Sequence, residues 1–195
     1  MSNTMQAMVL REFGGPEVLE RREIPRPSPG PGQVLVRVKA SSVNPVDTKI
    51  RSGMLAAMAP EAPAVLGCDM SGVVEELGEG VNAFSPGDAV YGSPGGVKGH
   101  PGALAEYMTA DVRLTAPKPR GLSWEEAAAL PLVSITAWEG LLDRAKVHAG
   151  QRVLVHGGTG GVGHLALQLC AAQGAEVWAT ITPPPVAPRD DDEPA

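Results

Sequence analysis

The sharpest chemical signal in this sequence is the glycine run Gly158-Thr159-Gly160-Gly161-Val162-Gly163, which fits the pattern G-x-G-x-x-G. It follows the short apolar segment Arg152–His156 and precedes a stretch with helical periodicity. In that context Gly158 allows a tight turn, Gly160 lets the backbone approach a pyrophosphate, and Gly163 lets a helix and a strand pack closely. Unpaired N–H groups at the helix start would hold the anion. The run therefore predicts dinucleotide binding, with an ordinary strand–helix turn as the simpler alternative.

The elements around this loop must position it. The helix that follows presents an apolar inner face and ends near Gly174, and Glu176–Ile181 then reads as a second strand. The residues of that inner face are Val162, Leu165, Ala166, Leu169 and Cys170. A strand, a helix and a second strand in this order predict a βαβ unit with parallel strands and a right-handed crossover.

The end of the second strand bears on the choice of cofactor. A site for NAD places Asp or Glu there, about 20 residues after the loop, on the ribose hydroxyls. This sequence has Thr180, Thr182 and Pro183 instead. Since no acid is present to repel a 2′-phosphate, the sequence favours NADPH over NADH and makes Thr180 a candidate cofactor-binding residue. Arg189 is interpreted as a solvated residue beyond the strand.

The first 120 residues are different in character. The whole chain has 195 residues with 24 glycines and 19 prolines but only 4% aromatic residues, which is typical of many short strands and turns. Strands are predicted at Gln6–Arg11, Val18–Glu23, Val34–Ala40, Asp69–Leu77, Asp88–Tyr91, Ala105–Thr109 and Val112–Leu114. The first two flank the turn Gly14-Gly15-Pro16 and are predicted to form a hairpin. Val34–Ala40 alternates with a period of two, which predicts a half-buried strand. Together these elements predict a barrel or sandwich.

Beyond residue 120 the pattern becomes helical, and the last residues lose all periodicity. Ser123 and Glu126 form a capping box that starts a helix, and Pro131 interrupts it. The segment 183–195 contains five prolines and four acids and is predicted to be disordered. The predicted domains are accordingly 1–122, 123–182 and a tail over 183–195.

Composition excludes several classes of function. With 16 Lys+Arg against 22 Asp+Glu, the net charge of −6 argues against nucleic-acid binding. Cys68 and Cys170 are too few for a disulfide framework or a four-cysteine zinc site. No apolar run approaches the ~20 residues of a membrane helix, and no secretory signal is visible. A cytoplasmic protein without membrane or nucleic-acid partners is expected.

Four segments together resemble the medium-chain dehydrogenase/reductase superfamily, and specifically its zinc-independent quinone oxidoreductase, or zeta-crystallin-like, branch. The segments are VNPVDTKIRSG (43–53), LGCDMSGVVEELGEGVNAFSPGDAVY (66–91), ALPLVSITAWEGLL (129–142) and VLVHGGTGGVG (153–163). The resemblance implies an α/β plus β chain: an N-terminal GroES-like β barrel, then the first βαβ unit of a Rossmann domain.

The resemblance also implies an activity, which is hydride transfer from NADPH to a quinone or other conjugated carbonyl. It implies catalytic roles for Asn44 and Asp47, with the Asn44 amide N–H near the nicotinamide or the substrate oxygen. It places Thr136 near the cofactor phosphates. The alternatives are a turn at Asn44-Pro45, a structural pair of Asp47 with Arg51, and plain helix packing at Thr136.

Two departures from the family pattern qualify this interpretation. Zinc-dependent relatives have Cys where Asn44 stands and Gly-His-Glu where Gly67-Cys68-Asp69 stands, so no metal is predicted. The chain also stops after the second strand, which suggests a truncated or frameshifted member that is inactive alone. A non-catalytic GroES-like module, or a fragment that needs a complementing partner chain, is the alternative, and homo-oligomer formation is left open.

Overall fold

The computed structural model describes residues 3–182 of the chain, and the predicted tail lies outside them. The residues form two compact units, one ending at Leu132 and the other beginning at Val133. The strands of the first unit are β1 (Thr4–Leu10), β2 (Leu19–Pro25), β3 (Gln33–Ser41), β4 (Ala64–Val65), β5 (Met70–Leu77), β6 (Ala89–Gly92), β7 (Tyr107–Asp111) and β8 (Thr115–Pro117). Its helices are α1 (Pro45–Arg51) and α2 (Trp124–Ala128), and α3 (Pro131–Trp138) begins at its end.

The first unit contains two antiparallel sheets. β1 and β2 form the predicted hairpin, and β4 joins the other side of β1, which gives the order β2-β1-β4. The larger sheet has the order β7-β3-β5-β6-β8. Two register shifts between β3 and β5, at Leu35/Val36 and at Val38/Ala40, bend the larger sheet. This curled sheet is the barrel-like architecture that the sequence predicted.

The core of the first unit lies against the larger sheet. Val34 and Val36 are fully buried together with Met70, Val74 and Val90. Leu35 points to the opposite face of β3 and is also fully buried. The prediction of a half-buried strand is therefore wrong for the first half of β3, because α2 packs against β3 and β5 on the second face.

Helix α2 begins as predicted. The Glu126 N–H donates to the Ser123 hydroxyl at 3.1 Å, and the Ser123 N–H donates to the Glu126 carboxylate at 2.7 Å. This reciprocal pair satisfies two donors at the helix start. Pro131 then occupies the first turn of α3, where its missing N–H costs nothing.

Two predicted elements differ in the structure. Val112–Leu114 is a 3-10 turn and not a strand, because the Asp111 carboxylate accepts the Arg113 N–H at 2.8 Å and closes the turn. The second difference follows the interruption at Pro131: the helical pattern predicted beyond residue 120 widens into a π-helical turn over Glu139–Arg144. Ala145 there donates to the Gly140 carbonyl at 3.1 Å.

The second unit contains the predicted βαβ arrangement. β9 (Arg152–Val155), α4 (Gly161–Ala172) and β10 (Glu176–Ala179) follow in order, and β9 and β10 are parallel. Ala166 and Cys170 of α4 are buried, and Gly174 ends the unit's helix with a positive φ of 76°. Leu154 and Trp178 are direct neighbours across the two strands, yet they are 57% and 62% exposed.

Candidate functional site

The first unit holds a buried polar network that begins at the start of α1. Asn44 is the extended residue before the helix, and Pro45 follows it in the first turn. The Asn44 N–H donates to the Asp47 carboxylate at 2.7 Å. A carboxylate in the third helical position that returns to this N–H fixes the angle at which the chain enters the helix. Asn44 and Asp47 are 5% and 6% exposed, so both are removed from bulk water.

Asp69, just before β5, is the centre of the network and is completely buried. One carboxylate oxygen accepts the Asn44 amide at 2.9 Å and the Ser42 hydroxyl at 3.0 Å. The other oxygen accepts the Leu132 N–H at 3.0 Å, and the Ser93 side chain is a further donor. Burial raises the pKa of Asp69, and these donors oppose that rise. The four donors match a carboxylate, which can only accept hydrogen bonds.

Cys68 closes the network on the other side of Asp47. Its thiol is 3% exposed and donates to the second Asp47 oxygen at 3.2 Å. Burial, and then the charge of Asp47, raises the pKa of the Cys68 thiol far above its ordinary value. The thiol therefore stays protonated and serves as a hydrogen-bond donor rather than as a nucleophile.

A small cavity of about 90 Å³ adjoins this network. Its polar lining comes from Ser42, Asp47, Thr48 and Arg51, and its apolar lining from Val43, Leu19, Leu66 and Leu104. The pair of Asp47 with Arg51 that the sequence suggested is not formed. Both Asp47 oxygens have other donors, and the Arg51 side chain donates to the Gly14 carbonyl at 3.4 Å.

The network leaves the Asn44 side chain with little freedom. One amide N–H points to Asp69, and the amide nitrogen also donates to the Ser42 hydroxyl at 3.2 Å. Both hydrogens of this amide are thus engaged within the protein. Asn44 is consequently held in one orientation.

Neither a metal cluster nor a membrane span is found in the part of the chain that the structure describes. Among residues 3–182, no three His, Cys, Asp or Glu side chains come together as metal ligands. In the same range no helix has the length and apolar character to cross a membrane.

The glycine loop lies in the second unit, between β9 and α4. The left-handed turn falls at Gly157, with a φ of 73°, rather than at Gly158. Gly158 is required for packing instead, since a Cβ there would lie 2.6 Å from the Ala179 Cβ. A Cβ on Gly163 would lie 2.1 Å from the Gly157 carbonyl oxygen. A side chain at Gly158 would push the loop away from β10, and one at Gly163 would push the loop and α4 apart.

The start of α4 is open. Gly160 precedes the helix in extended conformation and provides no side-chain cap. A Cβ on Gly160 would meet only the Gly157 oxygen, at 3.3 Å. The first-turn N–H groups, which include those of Gly161, Val162 and Gly163, have no acceptors in their own helix. Such a terminus is suited to binding an anion.

Thr180, directly after β10, holds the loop. Its hydroxyl accepts the Gly157 N–H at 3.1 Å, and its carbonyl accepts the Gly158 N–H at 2.9 Å. The His156 ring nitrogen Nδ1 lies 3.3 Å from the same hydroxyl. The structure thus brings Thr180 together with the glycine run, and it places Asn44 and Asp47 together in the first unit.

Thr136, the remaining predicted residue, lies exposed on α3 beside the buried Ala137. Its role near the cofactor stays a prediction. Sequence reasoning missed Asp69, Gly157 and His156. Asp69 carries a usable signal, because it is a single acid inside the otherwise uncharged run LGCDMSGVV. Gly157 follows the strand directly, one residue before the motif begins.

Comparisons with known proteins agree with this architecture. Residues 30–120 match the family described as the alcohol dehydrogenase GroES-like domain. This range covers the whole larger sheet of the first unit, from β3 to β8.

Longer matches extend through the glycine loop. The quinone oxidoreductase of Rattus norvegicus is 40% identical over 177 residues, which are 90% of this chain and 52% of that protein. An alcohol dehydrogenase superfamily protein from Novosphingobium aromaticivorans matches with 49% identity and a TM-score of 0.88, over 92% of this chain and 54% of its own. A mycobacterial protein solved in complex with NADPH matches with 38% identity and a TM-score of 0.81, over 92% and 53%.

The chain spans about half the length of the curated relatives it matches. Within that span the GroES-like domain and the partial Rossmann region agree with the fold that the resemblance implied. Residues 30–120 thus belong to the alcohol dehydrogenase GroES-like domain family, and the chain as a whole is similar to proteins of the quinone oxidoreductase branch of the medium-chain dehydrogenase/reductase superfamily.

Proposed function

We propose that this chain is part of an NADPH-dependent oxidoreductase that transfers hydride to a quinone or another conjugated carbonyl. The observation that carries the proposal is the open start of α4, where Gly160 leaves the first-turn N–H groups without a side-chain cap. The relatives support it, since several are named quinone oxidoreductases and one was solved with NADPH.

The loop residues fit a dinucleotide. Main-chain N–H groups from Gly161, Val162 and Gly163 would hold the pyrophosphate, as the absence of a bulky side chain at Gly160 permits. The N–H groups of Gly158 and Gly160 already donate to the Thr180 and Gly157 carbonyls, so these two residues would shape the loop instead. NADPH, when bound, supplies the hydride. Thr180 would hold the loop in its observed conformation, because its hydroxyl accepts a hydrogen bond from the Gly157 N–H.

The buried network of the first unit is assigned to the substrate side. Both Asn44 amide hydrogens are engaged by Asp69 and Ser42, so Asn44 would act through its fixed position and not by donating an N–H to the substrate oxygen, as the resemblance had implied. Asp47 would act by holding the Asn44 main chain, because both of its oxygens already accept hydrogen bonds. A fixed amide beside the cavity avoids the cost of reorganising a polar group during the reaction.

The substitution Gly160→Asp tests the cofactor assignment. An aspartate is a good residue for the start of a helix and would cap α4, so the fold should be retained. The same carboxylate would occupy and repel the approach of the pyrophosphate. We expect NADPH binding, followed by nicotinamide fluorescence, to be lost while the thermal unfolding midpoint stays within a few degrees.

Gly121→Asp is the matched control, because a Cβ at Gly121 meets nothing within 4 Å and the residue lies far from the loop in sequence. It adds the same charge and should leave NADPH binding intact. Equal NADPH affinities of the wild type and Gly160→Asp would contradict the assignment.

Turnover of a simple quinone with NADPH tests the reaction itself. Binding accompanied by turnover supports the oxidoreductase in full. Binding without turnover supports the second candidate, a cofactor-binding unit that works only with a partner chain. The exposed neighbours Leu154 and Trp178 favour this second candidate, because such a pair is usually covered in a working enzyme.

A further inference from the structure

We propose that His156 and Thr180 form the site that selects a 2′-phosphorylated cofactor. The inference rests on the proposed function and deepens it, because it assigns a specificity residue that the glycine pattern does not contain. It is carried by the contact between the His156 Nδ1 and the Thr180 hydroxyl, at 3.3 Å.

The two residues meet because of the sheet topology. His156 directly follows β9, and Thr180 directly follows β10. The strands are parallel and adjacent, so their carboxyl ends lie at one edge of the sheet. In dinucleotide-binding units the end of the second strand is the place that recognises the 2′ position of the adenosine ribose. His156 is therefore the side chain that the first strand contributes to that place.

The charge at this edge suits a phosphate. The described residues 155–164 and 179–182 contain no Asp or Glu, and their ionisable side chains are the imidazoles of His156 and His164. His164 belongs to the first turns of α4, where its ring faces the Gly160 carbonyl at 3.0 Å. Histidine is the side chain that can gain a positive charge near neutral pH. Of the two rings, His156 is the one in contact with Thr180.

The hydrogen bonds also prepare His156 as a donor. The Thr180 hydroxyl accepts the Gly157 N–H at 3.1 Å, so its own proton is available to the His156 Nδ1. With Nδ1 accepting, the neutral ring carries its proton on Nε2. A protonated ring carries one there as well. In both states the exposed His156 ring can donate to a phosphate oxygen.

Two ligand pairs isolate the 2′-phosphate. The first is adenosine 2′,5′-bisphosphate against adenosine 5′-monophosphate, measured by calorimetry, and the second is NADPH against NADH, measured by fluorescence. We expect the wild type to prefer the 2′-phosphorylated member of each pair by about tenfold, as a charge-assisted contact provides. In His156→Gln the preference should fall by threefold or more, while the affinity for adenosine 5′-monophosphate stays unchanged.

Two further variants define the cause. His156→Lys keeps a cation and should retain the preference. His148→Gln removes a histidine from the opposite, amino-terminal end of β9, where the ring faces the Ala149 carbonyl, and should change neither affinity. An undiminished preference in His156→Gln overturns the inference. If neither adenosine nucleotide binds the wild type, the proposed function itself fails. That failure is recognised from the wild type alone, whereas failure of the inference is recognised only from the comparison of His156→Gln with the wild type.

Discussion

The network of the first unit is built mostly from side chains and draws on four separate segments, whereas the loop of the second unit is main chain from one segment. Ser42 to Asp47, Cys68-Asp69, Ser93 and Leu132 meet only after the larger sheet has folded. The loop from Gly157 to Gly163 lies between one strand and one helix, and Thr180, after β10, holds it by two hydrogen bonds. The first site is closed and specified by burial, and the second is open and specified by the absence of side chains.

This difference determines which substitutions each site tolerates. A buried side-chain network loses stability when one member is removed, because its donors remain without acceptors in a region that water does not reach. A main-chain loop tolerates the removal of most side chains, but the addition of a side chain at one of its glycines disrupts it. The following predictions test this contrast, from the largest expected effect to the smallest.

Removing the central carboxylate should have the largest effect. Asp69→Ala leaves the Asn44 amide and the Ser42 hydroxyl without their buried acceptor. We expect the free energy of unfolding to fall by about 3–5 kcal/mol, at about 1–3 kcal/mol for each orphaned donor. Urea denaturation measures it. Glu61→Gln, at an exposed position of the same unit, is the control. A loss below about 1 kcal/mol would mean that Asp69 does not hold the network.

Adding one methyl group to the loop should have the next largest effect. Gly163→Ala puts a Cβ 2.1 Å from the Gly157 carbonyl oxygen, which belongs to the main chain and cannot swing away. We expect a loss of about 1–3 kcal/mol in unfolding free energy together with weaker NADPH binding. Gly161→Ala is the matched control, since its Cβ would meet only the Val133 side chain, at 3.3 Å. Similar stabilities of the two variants would contradict a main-chain constraint at Gly163.

A smaller effect is expected when the charge beside Cys68 is removed. Asp47→Asn keeps the size of the side chain but removes the carboxylate that accepts the Cys68 thiol. Burial and then Asp47 raise the pKa of Cys68, so the substitution lowers that pKa without restoring its ordinary value. The rate of thiol labelling at pH 8 should rise several-fold. Cys170, whose pKa is raised by burial alone, serves as the internal control, and an equal rise at Cys170 would indicate general unfolding.

The smallest effect concerns the surface of the larger sheet. Hydrogen bonds from Arg113 lower the pKa of Asp111 from 3.8 to about 2. A lowered folded-state pKa means that this carboxylate stabilises the fold above pH 3.8 and that the contribution disappears as the pH falls towards 2. Asp111→Asn should cost under about 1 kcal/mol at pH 6, measured with urea. The difference from the wild type should shrink below pH 3.8. If the difference in unfolding free energy between the wild type and Asp111→Asn is the same at all pH values, the loss comes from the turn alone and not from the charge of Asp111.

The same contrast explains what the sequence could predict. The βαβ unit, the hairpin of β1 and β2, and the capping box at Ser123 depend on neighbours in the chain, and all three are confirmed. The burial of Leu35 depends on α2, which lies almost ninety residues later, and periodicity could not predict it. The turn at Val112–Leu114 depended on one bond from Asp111, which outweighed the strand preference of its valine and leucine.

The candidate sites follow the same rule. The glycine run and Thr180 were found as one local pattern. Asn44 and Asp47 were found only through a family resemblance, and Asp69, which holds Asn44, was noted only as part of a departure from the zinc-ligand pattern. Its importance arises from hydrogen bonds to residues 25 and 63 positions away in the chain, and such contacts leave no spacing to recognise.

The neighbouring Leu154 and Trp178 have a practical consequence for every measurement on this chain. They form a solvent-facing apolar patch on folded strands, with 57% and 62% of their surfaces exposed. Environment-sensitive dyes bind such patches, so a thermal shift assay with a hydrophobic dye should begin from a bright native baseline. The indole of Trp178 offers a better optical signal, because it lies on β10 two residues before Thr180 and should report directly on a nucleotide that binds at that edge.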